Sequence, residues 1–266
     1  MLRKCVVKGR FYPSSPESLR KEIERLKPET SSNISAKGII IPHAGYIYSG
    51  KVAVSTVSVV KPKRRIIALG TNHTGIGRTF SVFPEGEWEM PFANVKIDTE
   101  LANKIIDDDL IKEDYSAHLH EHSIEVALPI LQYFFGNFEL VPMVCGISEV
   151  NTYQKVARRI YEAVKDIQDE IMIVASSDMT HYEEDSGARK KDSIAIESIL
   201  KLDEEELIEK VEEYNISMCG IAPVSILLHC CKLLKANKAE VVLYQTSGDA
   251  SGDYSSVVGY LGVVIH

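Results

Sequence analysis

Gly38-Ile39-Ile40-Ile41-Pro42-His43 and Arg65-Ile66-Ile67-Ala68-Leu69-Gly70-Thr71-Asn72-His73 are the two stretches that decide the fold. Each is a short apolar run without polar alternation, closed by proline or glycine and followed by a histidine. Strands covered on both faces read this way, which is the pattern of a parallel sheet packed between helices. A third stretch, Ile171-Met172-Ile173-Val174-Ala175-Ser176-Ser177-Asp178, repeats the arrangement, with His181 following. Ligands of open α/β sheets bind beyond the carboxyl ends of the strands. Polar clusters in that shared position are therefore expected to converge on one site, and convergent imidazoles are the commonest way to hold a transition metal.

Working outward, strands and helices alternate. Helices are expected over 15–26 (Ser14 or Ser15 as cap, Pro16 in the first turn), 49–60, 98–106, 122–135, 149–167, 186–200 and 204–213, with a long apolar helix from Cys219 to about 235. Residues 30–35 read as a polar connector, and 80–97 as a hairpin-like excursion around Gly86 and Trp88. Strands are expected at 38–41, 65–69, 139–145, 171–175, 240–244 and 256–265; a Gly- and Ser-rich loop lets the last two pair antiparallel. The fold class implied is α/β, a single domain over 1–266 with a largely parallel central sheet flanked by helices.

The net charge of -8 excludes a general nucleic-acid surface. No apolar run approaches the ~20 residues that span a bilayer, and Met1-Leu2-Arg3-Lys4 does not open a signal peptide. Five cysteines, an odd number, do not make a disulfide framework and read as reduced thiols of a cytoplasmic protein.

The chemistry sits on a few side chains. His43 lies between Pro42 and Gly45, and His73 between Gly70 and Gly75, so that the chain leaves the sheet sharply and exposes Asn72 and His73 above it. For each the bland alternative is a turn; Asn72 and Thr74 in particular suit simple capping. Asp178 and His181 form Asp-x-x-His past a strand, where the aspartate can orient the imidazole as an acid/base; the alternative is a helix N-cap. Cys219 precedes a long helix, a position that lowers a thiol pKa and favours the metal-binding thiolate. Cys230 and Cys231 read as core. In His118-x-His120-x-His122 the first two read as solvated loop residues, and His122 as the one placed in a cleft.

Pro42-His43-Ala44-Gly45-Tyr46, Gly70-Thr71-Asn72-His73-Thr74-Gly75, Glu121-His122-Ser123-Ile124-Glu125, Ser176-Ser177-Asp178-Met179-Thr180-His181-Tyr182 and Cys219-Gly220 together resemble the Memo family, as does the opening Gly9-Arg10-Phe11-Tyr12-Pro13. That family is similar in fold to the class III extradiol dioxygenases, non-haem iron enzymes. The resemblance implies a metal held by His43, His73 and Cys219, with Asp178 and His181 in the cavity, His181 as acid/base, and Tyr48, Asn72 and His122 lining it. Where the dioxygenases carry a carboxylate ligand the matching residue here is Cys219, a soft donor that suits iron, copper or zinc.

Two functions follow as expectations. One is a metal-dependent redox enzyme, iron first among its metals, acting on a small molecule or peptide and partnered in a pathway with a radical-SAM protein. The other is a binding module or metal carrier that uses the same cavity for a peptide, a partner or copper.

Overall fold

The computed structural model describes residues 1–29, 32–107 and 109–266. The connector read at 30–35 starts on two residues, 30 and 31, that lie outside them.

Four strands, Glu139–Cys145, Arg65–Thr71, Ile171–Ser176 and Gly38–Ile41, lie side by side in that order and all run parallel. Their register places Thr71 beside Cys145, Leu69 beside Ala175 and Ile41 beside Ser176, so the four carboxyl ends share one edge of the sheet. Val257–Ile265 then pairs antiparallel with Gly38–Ile41 and carries two further antiparallel neighbours, Ala239–Thr246 and Asp178–Glu183. The expected largely parallel α/β sheet is present, with an antiparallel margin.

The lack of alternation in the parallel strands has a direct cause. Ile40, Ile67 and Ile173 feed one core with the helices Val150–Val164 and Ile221–Leu233. Their neighbours Ile39, Ile41, Ile66 and Ala68 feed a second core on the other face, with the helices Tyr46–Ser58 and Leu128–Phe135. Each fully buried isoleucine contributes about 1.5–3 kcal/mol on either face, so neither face tolerates polar residues.

Asp178–Glu183 is a strand, which rules out the alternative of a helix N-cap at Asp178; its partner Val257–Ile265 is remote in sequence, and register shifts interrupt the pairing on both sides of His181. Two expectations about local structure are corrected. The stretch read as a helix from His122 begins with a 3-10 turn at Glu125–Ala127 before the α-helix Leu128–Phe135. His118 is not solvated: it is 0% exposed, packs edge-on to Phe83 and Trp88, and its Nε2 lies 3.0 Å from the Ser81 carbonyl.

Candidate functional site

The loops leaving the shared carboxyl edge bring His43, His73, His122, Asp178 and Cys219 into one neighbourhood. His43, His73 and His122 each offer a donor atom within 4.8 Å of the others. The His73 and His122 rings stack at 4.9 Å with planes 20° apart, and His43 stands edge-on to both, at 5.0 and 5.7 Å. Sequence reading placed His122 on the cavity wall; the structure brings it into the compact donor set.

The orientation of each ring follows from its second nitrogen. Nδ1 of His43 lies 2.8 Å from Ser176 Oγ, which donates its own proton to the Ser123 carbonyl at 2.6 Å. The hydroxyl has no second proton, so His43 Nδ1–H must donate, and Nε2 keeps its lone pair for the cavity. Nδ1 of His73 donates to Glu121 Oε1 at 3.0 Å, which frees its Nε2 in the same way. Glu121 also accepts from the backbone N–H groups of His73, His122 and Ser123 at 2.7–2.8 Å. Burial by itself would raise this carboxyl; the His73 ring and the backbone donors outweigh it and bring it down to about 2. Burial, then the neighbouring imidazoles, holds His43 well below its ordinary value, and burial lowers His122 too. The neutral, metal-ligating form of these rings is thereby favoured.

Cys219 approaches from the antiparallel side. Its Sγ lies 3.4 Å from His43 Nε2 and 3.3 Å from the Asp178 backbone nitrogen. Gly220 makes this approach possible, since a Cβ there would collide with the Ser177 side chain. The expected lowering of the thiol pKa is not found: burial, then the charge of Asp178, pushes it up to about 12. Burial and the Asp178 charge outweigh the helix that starts at Ile221, so the metal-free protein carries a thiol. A bound cation is the kind of charge that would make it thiolate.

Asp178 and His181 divide their roles differently from the sequence reading. Asp178 Oδ1 accepts from the His43 backbone N–H at 2.9 Å, and Oδ2 is 4.0 Å from His43 Nε2; burial raises its pKa. The hydrogen-bond partner of the His181 ring is the Ser217 carbonyl, 2.9 Å from Nδ1, rather than Asp178. His181 Nδ1 therefore carries the proton and Nε2 is free to accept one. Asn72 serves its own turn: its amide donates to the Ile76 carbonyl and its oxygen accepts from Thr74 and Gly75. Tyr48 is 42% exposed, on the first turn of the helix after His43. Glu121, Ser176 and Ser217 were given no role from sequence; a carboxylate directly before His122 was the one local signal.

A cavity of about 730 Å³ lies elsewhere, lined by Arg64, Arg65, Lys96, Gln132, Phe138 and Glu139 near the amino ends of the parallel strands. Its size does not make it the site of chemistry, because the convergent imidazoles lie at the opposite edge of the sheet.

A buried α/β sheet with a cluster of tautomer-fixed imidazoles at its carboxyl edge defines the class as an α/β protein with a histidine centre able to hold a metal. The comparisons give the family: a model described as Memo-like protein matches residues 3–264, and the chain belongs to that family. It is 40% identical to a MEMO1 family protein of Methanopyrus kandleri, over 99% of each chain. It is 42% identical to one of Aquifex aeolicus, over 99% of this chain and 98% of the other. Among solved structures it is similar to an uncharacterised protein of Escherichia coli K12, with a TM-score of 0.57 at 12% identity, covering 86% of this chain and 99% of that one. That last likeness concerns the fold alone. Among the described residues no helix is long and apolar enough to cross a membrane.

Proposed function

We propose that this protein is a metal-dependent redox enzyme of the cytoplasm that binds one transition metal, iron by preference, between His43, His73 and Cys219, with His122 as the neighbouring donor. The observation that carries the reading is the fixing of the His43 and His73 tautomers, each Nδ1 held by the protein and each Nε2 keeping its lone pair, that of His43 facing the Cys219 thiol. Donors sharing one ion through bonds of roughly 2.0–2.3 Å stand ~3–4 Å apart, and the 3.4 Å between Cys219 Sγ and His43 Nε2 suits that spacing. When bound, the metal would act as Lewis acid and electron-transfer centre for a small substrate. Asp178 holds the His43 loop through the backbone. His181, protonated on Nδ1 by its bond to Ser217, has Nε2 available to take a proton from the substrate and later return it.

Metal content of anaerobically purified protein, measured beside His43→Ala, Cys219→Ser and His122→Ala, assigns the donors: loss in the first two with retention in the third supports the set named. Oxygen uptake across a panel of small reductants and peptides then reads turnover. His181→Ala should keep the metal while turnover falls ~10²–10⁴-fold. Metal uptake with no turnover in any assay favours the carrier reading, which the soft sulfur donor of Cys219 also suits with copper(I). The radical-SAM pathway partner belongs to this proposal.

A further inference from the structure

The first dozen residues of the chain form a wall of the histidine centre, although no candidate ligand comes from them. Arg3 is 1% exposed and bonded at every nitrogen. Nε donates to the His118 carbonyl at 2.8 Å, a second nitrogen to the Glu121 carbonyl at 2.5 Å, and the third to Glu125 Oε2 at 2.6 Å. Its guanidinium lies 4.0 Å over the Trp88 ring. Glu125, itself 0% exposed, accepts in turn from the Val6 and Val7 backbone N–H groups and from the Tyr12 hydroxyl at 2.7 Å. Further along, the Phe11 carbonyl accepts from Tyr46 N at 2.7 Å, and the Phe11 ring meets the His122 ring edge-on at 5.0 Å.

The segment 118–125 is thus held at both ends by a fork more than a hundred residues away in sequence. Between those ends sit Glu121, whose carboxylate fixes His73, and His122, which stacks on it. A buried ion pair is by itself weak evidence of a stabilising role. What distinguishes this one is where the guanidinium points: two of its three bonds go to carbonyls of the segment that carries the histidine-orienting carboxylate. A lysine could supply the charge but not the planar fork that spans both carbonyls and the carboxylate.

We infer that Arg3 is a positioning residue for the metal centre, acting through the backbone of 118–125 to set Glu121 and hence the His73 and His122 rings. The inference rests on the proposed metal site for its affinity readout, but not for its geometric one. Removing a partner that orients a ligand typically lowers metal affinity ~10–100-fold, and Arg3→Lys is expected to cost about tenfold at the low end of that range.

The experiment compares iron(II) and zinc affinity, and the downfield Nδ1–H resonance of His73 in metal-free protein, in wild type, Arg3→Lys, Tyr12→Phe and Glu204→Gln. Glu204 is buried in a separate network with His229 and Lys232, so its variant controls for stability loss alone. Support is an affinity drop of about tenfold for Arg3→Lys, a smaller drop for Tyr12→Phe, little change for Glu204→Gln, and loss or broadening of the His73 proton signal only in the first two. Equal drops in all three, or an unchanged His73 resonance in Arg3→Lys, would overturn it. If Arg3→Lys does not fold, Tyr12→Phe against Glu204→Gln decides by the same criteria. If wild type takes up neither metal, the metal proposal fails on its own, and the His73 resonance alone decides the role of Arg3.

Discussion

The two walls of the centre are built on opposite principles. On the parallel side, His43 and His73 are oriented by Ser176 and Glu121, which are themselves buried and bonded, and the 118–125 segment behind them is clamped by Arg3. On the antiparallel side, His181 sits between two register shifts of an edge strand, anchored to the Ser217 carbonyl. Next to it Tyr182 is 80% exposed with φ of 60°. The other non-glycine residues with positive φ among those described, Leu202, Asn215 and Lys235, follow the ends of helices, where a left-handed residue is ordinary. Tyr182 has no such reason, and a bulky residue held there is strained by about 1–3 kcal/mol. The contrast separates a rigid wall that carries the oriented imidazoles His43 and His73 from an open, strained wall that carries His181.

The largest expected difference is electrostatic. The Glu121 carboxyl is held down at about 2 against an ordinary 4.5, so it contributes stability above pH 4.5 that is lost as pH falls through its folded pKa. At 1.36 kcal/mol per unit that is about 3 kcal/mol near neutrality. Asp178 is shifted the other way, raised by burial, so its ionised form costs stability at neutral pH and the cost is relieved as pH falls through its raised pKa. Urea unfolding of metal-free protein should therefore show Glu121→Gln less stable by about 3 kcal/mol at pH 7, converging on wild type in acid. Asp178→Asn, which keeps an acceptor for the His43 N–H, should be as stable as wild type or more so. Equal losses in the two variants at pH 7 would break the contrast.

A smaller effect is expected at Tyr182. Glycine adopts φ of 60° without strain, and the exposed ring packs little, so Tyr182→Gly should raise stability by about 1 kcal/mol in the same unfolding assay. Tyr182→Ala, still strained, should not. A loss on Tyr182→Gly would mean that the ring is held by contacts stronger than its exposure implies. The smallest effect on stability is expected for His181→Ala, within about 0.5 kcal/mol of wild type, as befits a partly exposed side chain; a loss of several kcal/mol would move His181 to the rigid wall.

The rigid wall was the more legible in sequence. Its strands are continuous apolar runs, because both faces of Ile39-Ile40-Ile41 and Ile66-Ile67-Ala68 are buried, and the histidines follow them directly. The open wall was not. Asp178–Glu183 carries polar residues and a bulge on each side of His181, so no period marks it as a strand. The place of Cys219 just before a long helix suggested a lowered thiol pKa, yet burial and Asp178, neither visible locally, reverse it. His118 resembled its neighbour His120 in sequence; its burial depends on Phe83, Trp88 and Ser81, which only the fold brings near. The orienting bonds from Glu121 and Ser176 depend in the same way on long-range approach, as does the tight contact of Gly70 with Ser123 and Ile124.

The central claim is that the tautomer-fixed imidazoles hold one metal ion. Anaerobic titration of metal-free protein with iron(II), copper(I) and zinc tests it most directly, with wild type compared to His43→Ala and Glu121→Gln. The account predicts one tight equivalent in wild type, none in His43→Ala, and affinity reduced ~10–100-fold in Glu121→Gln because His73 loses its orienting carboxylate. Uptake by His43→Ala equal to wild type, or no saturable uptake of any of the three metals by wild type, would contradict it.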